Sequence, residues 1–513
     1  MSITTPKNAP TDTSAIAGRT RITLRTIADV TRAVESTVDH SDPVAAKRAK
    51  KAMLVVVVIA LGGVFVDAYD FTSLGIGVIQ LRDQFHLGAA EVGMLSATMA
   101  VSALFGAIFG GYLVDKVGRL PMFLLDLYFF VFSAIGAALA PDMWVLVGFR
   151  LMMGLGVGLD FPVALSFVAE FSQRARRGRF VNLSYINWYS AALVGFATSY
   201  LAYALGAGIN LWRIAVGMGA VPATIILILR YKYMLESPLW AARNGDLEKA
   251  AAVLRRTRGL DVTVDPAPTN PIPPLTLKES YGILFSKTYR RRSILAAIIG
   301  CAQSIEYYAV IFYLPVISQL LFGHTMLMAI LGGAMFSAVG LLGATFQAVV
   351  CDRTGIRPLT LAGAGLAIVA LAGIAAGHSL GVLALEAAMV ATFMIGHTIG
   401  PGPQGMAYGT LSFPTAIRAS GVGWTQGMLR VGSIVGFLVF PIAMSALGFT
   451  ATFALLASAP LVIMVATLIV KWEPVGVDIE SEGAEVLARL RPAHSGATPG
   501  ASAPAAAPGL ESA

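Results

Sequence analysis

The sequence predicts an all-α, polytopic membrane protein: twelve transmembrane helices in two pseudo-symmetric six-helix bundles. Three observations predict it. The first is composition. Of 513 residues, 56% are hydrophobic and only 13% are charged, and the mean hydropathy is +0.73. A soluble domain carries about 25% charged residues. So much apolar surface cannot be hidden from water, which excludes a soluble, disordered, collagenous, coiled-coil or disulfide-scaffold reading of the whole chain. The second is the length of the apolar runs, and the third is an internal repeat.

A bilayer core about 30 Å thick takes about 20 apolar residues per helix. Such runs fall near 53–79, 91–114, 121–140, 143–171, 181–206, 212–234, 293–321, 325–350, 358–377, 380–408, 419–446 and 449–471. They are too long and unbroken for the alternating strands, roughly ten residues each, of a membrane barrel. The runs divide the chain. Residues 1–50 form a polar amino-terminal tail, with no apolar run before Met53 to serve as a cleaved signal. Residues 51–234 and 293–471 hold six spans each. The loop between them, 235–292, has a Pro-rich middle (Pro266, Pro268, Pro271, Pro273, Pro274), and 472–513 is a tail expected to be disordered.

Lysine and arginine set the orientation. Lys116, Arg119, Arg174, Arg176, Arg177, Arg179, Arg230, Lys232, Arg290 to Arg292, Arg353, Arg357 and Arg418 fall on one side. The opposite loops hold little beyond Arg82 and Arg213. Both termini and the long loop are therefore expected in the cytoplasm, with the protein in the inner (plasma) membrane. The same bias accounts for the formal net charge of +8, so no nucleic-acid partner is implied. Cys301 and Cys351 sit in different spans and predict neither a disulfide nor a metal cluster; no cofactor is expected.

The repeat appears in two places. Asp115-Lys116-Val117-Gly118-Arg119 is echoed by Asp352-Arg353-Thr354-Gly355-Ile356, 237 residues on. Phe171 to Arg176 is echoed by Phe413 to Arg418, 242 residues on. Two echoes at nearly one offset define two halves of like orientation, with a solute site expected at mid-membrane between them.

These segments resemble the major facilitator superfamily. Gly111 to Arg119 resembles its loop 2–3 signature, and Arg150 to Gly156 its helix 4 signature. Glu236-Ser237-Pro238, with Trp240, is similar to the segment after span 6 in sugar porters and their organic-ion and metabolite relatives. Leu235 and Leu239 stand where that family has Pro and Arg. Asp67-Ala68-Tyr69-Asp70 resembles the span 1 motif of both aromatic-acid:proton and phosphate:proton symporters. Gly158 to Pro162 looks like span 4 of the phosphate carriers, with Phe161 replacing Tyr. Gly423 to Gly436 is similar to span 11 of aromatic-acid and nicotinate carriers, with Leu429 replacing Gly; phosphate carriers share this stretch but have Lys where Arg430 stands. Glu306 stands for the acid of the phosphate carriers' span 7, but Ala302 occupies the place of their Trp.

An ionisable side chain at the centre of a spanning helix costs roughly 2.5–3.5 kcal/mol on insertion scales. Asp67 and Asp70 in span 1, Asp160 in span 4, Glu306 in span 7 and Arg430 in span 11 are expected to converge on one cavity. Arg430 offers a fork for carboxylate or phosphate oxygens. Asp67, Asp70 and Glu306 are the expected proton carriers. Arg150 is either a relay partner or half of a helix-packing salt bridge, and His397 is the one histidine deep enough for a relay. Asp160, Phe161, Trp188, Tyr189, Tyr69, Tyr307 and Trp424 are expected to join Arg430 around the solute. Gly400-Pro401-Gly402-Pro403-Gln404 breaks span 10 and brings Gln404 to the same place. Asp115, Arg119, Glu170, Arg176, Arg177, Asp352, Arg353 and Arg418 are expected to form a charged gate at the cytoplasmic surface.

The expected function is secondary active transport: proton-coupled symport of a small organic acid, aromatic or related, by alternating access in a monomer. Its partners are the solute, the proton and membrane lipid. Proton-coupled carriage of phosphate, an organic cation or a sugar, and export by proton antiport, remain open. A sugar calls for more amides and hydroxyls at mid-cavity than the sequence places there. No nucleophile–base pair or phosphate-cradling loop suggests an enzyme.

Overall fold

The computed structural model describes residues 22–35, 43–173, 176–265 and 275–490. Arg174, the loop prolines 266–274 and the tail beyond 490 lie outside the described residues. Ten helical stretches are long and apolar enough to cross a membrane. One of them, Arg418–Val470, would be about 80 Å long as a straight helix, more than twice a bilayer core. It divides at Gly448, where φ is +78°. Arg177–Ala204, whose polar face lowers its hydropathy, completes twelve.

In chain order, span 1 is Met53–Gln84, span 2 Ala89–Val117, span 3 Arg119–Ala138, span 4 Met143–Phe171, span 5 Arg177–Ala204 and span 6 Gly208–Tyr233. Span 7 is Arg290–Ile311 continued by Leu314–Phe322; span 8 is Met326–Thr354, span 9 Ile356–Leu380 and span 10 Leu383–Leu411. Spans 11 and 12 are 418–447 and 449–470. Span 10 breaks at Gly400 (φ −114°, ψ −104°). Pro401 follows it, and a residue before proline is driven out of helical geometry.

The halves meet along two seams, span 2 against span 11 and span 5 against span 8. The first is a backbone contact. A Cβ added to Gly111 would lie 2.4 Å from the Ala419 carbonyl oxygen, and one added to Gly423 would lie 2.3 Å from that of Ala107. Only glycine allows that approach.

The repeat is visible in three dimensions and runs further than the two sequence echoes. Gly118 and Gly355 both turn the chain with positive φ, +111° and +86°. Beside Gly118, Glu236 accepts from the backbone N–H of Arg119 at 3.0 Å; beside Gly355, Glu473 accepts from that of Arg357 at 2.8 Å. Glu236 and Glu473 are again 237 residues apart.

Two segments expected to be tails are folded. Ile22–Leu24 pairs in parallel with Val262–Val264 of the long loop. The helix Ile27–Glu35 buries Val30 and Val34 in a small core with Leu239, Leu247 and Leu254. Ile479–Leu490 is a helix rather than disordered chain. Its Val486 and Leu487 pack on the cluster around Phe413 and Ile417, and Glu482 binds Arg292 at 2.8 and 2.9 Å. The amphipathic pattern of these short segments lies within polar surroundings, where a span-length search does not register it.

Replacing Gly423 by leucine should force the two halves apart at this seam. Overpacking of this kind costs about 1–3 kcal/mol, so thermal unfolding of purified protein should begin several degrees lower, with the Gly427→Ala variant as a milder control.

Candidate functional site

Charges buried in hydrocarbon must find partners. Here they do so in separate pairs rather than at one point. Arg430 reaches across the halves: its Nη2 donates to Asp67 Oδ2 at 3.3 Å and its Nη1 to the Tyr308 hydroxyl at 3.1 Å. The rings of Phe71 and Phe161 flank the guanidinium at 5.6 and 5.7 Å. Asp67 Oδ1 and Arg430 Nε have no hydrogen-bond partner. Beside this pair, Trp188 Nε1 of span 5 donates to the Tyr307 hydroxyl of span 7 at 2.6 Å, a second link between the halves.

The other charges expected here sit elsewhere. Asp70 binds Arg150 of span 4 and not Arg430. Glu306 Oε1 lies 3.2 Å from His397 Nδ1 in span 10 and makes no ion pair with Arg430. Asp160 turns away from the centre, into a triad with Arg230 and Asp126. Arg230 Nη2 donates to Asp160 at 3.0 Å and its Nη1 to both Asp126 oxygens at 2.9 Å. Arg230 is thus no loop charge; it is wholly buried, and it also donates to the carbonyls of Ile59 and Ala60 where span 1 breaks. Spacing along the chain placed Asp67, Asp70, Asp160, Glu306 and Arg430 near mid-membrane, but helix rotation decides which way each points.

The aromatic candidates divide in the same way. Phe161, Trp188 and Tyr307 line a cavity of about 10 Å³ against Arg430, and Tyr189 lines a neighbouring one of about 30 Å³ with Phe71 and Tyr308. Tyr69 is withdrawn between spans, its hydroxyl bonded to Thr198 at 2.9 Å and donating to the Ala215 carbonyl at 3.0 Å. Trp424 lies on the outer flank, donating to the Ser293 carbonyl at 3.0 Å. Gln404 is held in an amide chain, accepting from Asn182 at 3.3 Å and donating to Gln347 at 3.1 Å. Sequence reasoning missed Gln303 and Gln426. Both line the Arg430 cavity, and neither Gln426 side-chain heteroatom, nor Gln303 Oε1, has a partner. Ionisable side chains, whose burial is the costliest, were followed instead, although these two amides interrupt apolar runs in the same way.

At the loop side the gate candidates assemble. Arg119, fully buried, binds Glu170 at 2.7 Å and Asp115 at 3.2 Å. Arg418 of span 11 lies 3.6 Å from Glu170 of span 4, joining the halves. Asp115 accepts from the backbone N–H groups of Ala419 and Ser420 at 3.2 and 2.8 Å, capping span 11. Asp352 caps span 5 in return, accepting from the N–H of Arg179 at 2.9 Å. The positive end of each helix therefore faces an aspartate of the other half. Arg177 turns to Glu35 of the amino-terminal helix, 2.9 Å away. Arg176 and Arg353 stay exposed and make no ion pair among the described residues. The opposite end is shut as well: Phe312 and Phe196 close on the small residues Gly75 and Gly333. A cavity of about 10 Å³ holds at most one water, so a solute enters only after the halves move.

Two bundles that meet across reciprocal helix caps and enclose a charged, ring-walled hollow define a membrane transporter. The family described as sugar (and other) transporter matches residues 55–483, and the chain belongs to it, within the major facilitator superfamily. Among its relatives, the putative metabolite transport protein YaaU of Escherichia coli is 30% identical over 76% of this chain and 85% of its own. The niacin transporter NiaP of Acinetobacter baylyi is 26% identical over 83% and 95%, and the glucose transporter GlcP of Staphylococcus epidermidis 26% over 82% and 94%. Among solved structures, the proton:xylose symporter XylE of E. coli, bound to 6-bromo-6-deoxy-D-glucose, superposes with a TM-score of 0.73 at 18% identity, covering 85% of this chain and 99% of its own.

Two outcomes follow from these contacts. Arg230→Met leaves Asp126 and Asp160 unpaired and should cost about 3–5 kcal/mol; adding Asp126→Asn and Asp160→Asn should recover most of it, measured by thermal unfolding. Glu480 of the carboxy-terminal helix is half-buried, and its desolvation would raise its pKa, but Arg418, Arg177 and the Thr415 hydrogen bonds hold it below the ordinary glutamate range. A depressed carboxyl stabilises above its unfolded pKa and loses that contribution as pH falls through its folded one. Protease cutting near residue 478 should therefore stay slow at neutral pH and accelerate only in acid, below about pH 4, and Glu480→Gln should flatten that dependence.

Proposed function

We propose that the protein is a monomeric, proton-coupled symporter of a small carboxylated metabolite in the inner membrane, with both termini cytoplasmic. The observation that carries this reading is the Arg430–Asp67 pair bridging the halves. In the empty carrier the two charges cancel. A solute carboxylate that takes the guanidinium displaces Asp67, and the carrier is neutral again only if Asp67 accepts a proton. Solute without proton leaves two carboxylates on one guanidinium; proton without solute leaves Arg430 uncompensated. Each half-loaded form buries one net charge, at a cost of roughly 2.5–3.5 kcal/mol. Reorientation therefore favours the empty and the fully loaded carrier, which is coupling by charge balance. Phe71, Phe161 and Trp188 around the guanidinium suit a flat ring on the same acid. The Asp115, Arg119, Glu170, Arg418 and Asp352 contacts act as the cytoplasmic gate, closed here.

A sugar is the second reading. Gln303 and Gln426 favour it, since unpartnered buried amides seek hydroxyl partners, and GlcP and XylE are relatives or structural neighbours described with sugars.

Uptake by proteoliposomes decides between them. Nicotinate, benzoate, phosphate, glucose and xylose are offered with and without an inside-alkaline pH gradient. Carboxylate uptake driven by the gradient is expected. Arg430→Gln should lower it roughly ten- to a hundredfold, the worth of a hydrogen bond to a charged group. Asp67→Asn should abolish gradient-driven accumulation while keeping solute exchange. Saturable xylose or glucose uptake with no acid uptake would move the assignment to the sugar.

A further inference from the structure

A large cavity lies on the outer flank of the carboxy-terminal half, away from the centre. It measures about 660 Å³ and runs between spans 7, 11 and 12. Its span 7 wall is one stripe at helical spacing: Ile294, Ile298, Cys301, Ile305 and Ala309. Trp424 stands at the loop-side end, half-buried, with Phe285 edge-on at 5.0 Å. Arg290 and Arg291 lie one turn before Ile294 on the same stripe, and Lys287 precedes them; all three are exposed. None of the three makes an ion pair among the described residues. Their neighbour Arg292, by contrast, is bound to Glu482 and covers the Trp472 ring at 3.7 Å.

An apolar trench whose span 7 wall begins one to two turns of chain after three exposed cations, with an indole at the boundary, has the chemistry of a lipid and its headgroup. We propose that it binds one anionic phospholipid, with an acyl chain in the trench and the phosphate against Lys287, Arg290 and Arg291. A second copy of the chain is a poorer occupant. A two-fold axis along the membrane normal sets like patches at the same depth, so each arginine cluster would face its own kind. The assignment does not depend on which solute the central site carries.

Trp424 and Cys301 supply the test. Protein is reconstituted with phosphatidylglycerol or phosphatidylcholine brominated on the acyl chains, at equal mole fraction. The Trp424 emission is taken as wild type minus Trp424→Phe. Brominated phosphatidylglycerol should quench it with an apparent affinity on the order of fivefold higher than phosphatidylcholine. The triple variant K287Q/R290Q/R291Q should lose that difference while keeping the phosphatidylcholine quenching, which shows the trench intact. Equal quenching by both lipids in the wild type overturns the proposal. So does an oxidative Cys301–Cys301 cross-link between copies in place of lipid quenching, because a second chain then fills the trench.

Discussion

A charge in hydrocarbon has no water to fall back on, so it must be matched within the protein. Almost every feature of the interior follows from that rule. Asp70 with Arg150, and Arg230 with Asp126 and Asp160, fix spans within the amino-terminal half. Glu306 and His397 link spans 7 and 10 through a hydrogen bond of 3.2 Å. Asp67 with Arg430 is different, because its partners belong to different halves. A pair inside one bundle moves with that bundle. A pair across the seam is worked on whenever the bundles move, and the proposed coupling of proton and solute makes use of this.

The loop side shows the same economy in another form. Glu236 and Glu473 brace equivalent turns, and Asp115 and Asp352 cap equivalent helices of the opposite half. The two halves thus hold each other through one arrangement used twice, while Arg418 and Glu170 add a bridge that the repeat does not duplicate.

The fold was legible because its signals are local. Apolar runs give the spans, glycine and proline give the breaks, and the repeat gives the two halves. Of the central residues, Arg430, Asp67, Phe161, Trp188 and Tyr307 were legible as polar or flat groups at mid-span depth. Their partners were not, since one helical residue turns a side chain by about 100°, and depth alone does not fix that angle. Asp160 missed the centre for this reason, and Tyr69 and Trp424 likewise. Arg230 was misplaced because a basic residue near a span end looks like an orientation signal until its burial is seen. Gln303 and Gln426 were passed over because attention went to ionisable groups, whose burial costs most, rather than to every polar residue in the spans. The folded parts of the tails, Ile22–Leu24 and Ile479–Leu490, depend on surfaces far along the chain, and the amphipathic pattern of a short helix does not say which surface it will meet.

The reciprocal caps have an uneven genetic character. On one side of each stands an aspartate carboxylate; on the other stand amide hydrogens of the main chain, at Ala419, Ser420 and Arg179. Any amino acid except proline brings the same N–H, so Ala419 and Arg179 can drift in identity without loosening these backbone bonds, whereas Ser420 adds a hydroxyl bond to Asp115 that most residues would lose. The hereditary burden of these two fastenings therefore falls mainly on Asp115 and Asp352, shared at the first by the Ser420 hydroxyl, which donates to Asp115 at 2.8 Å.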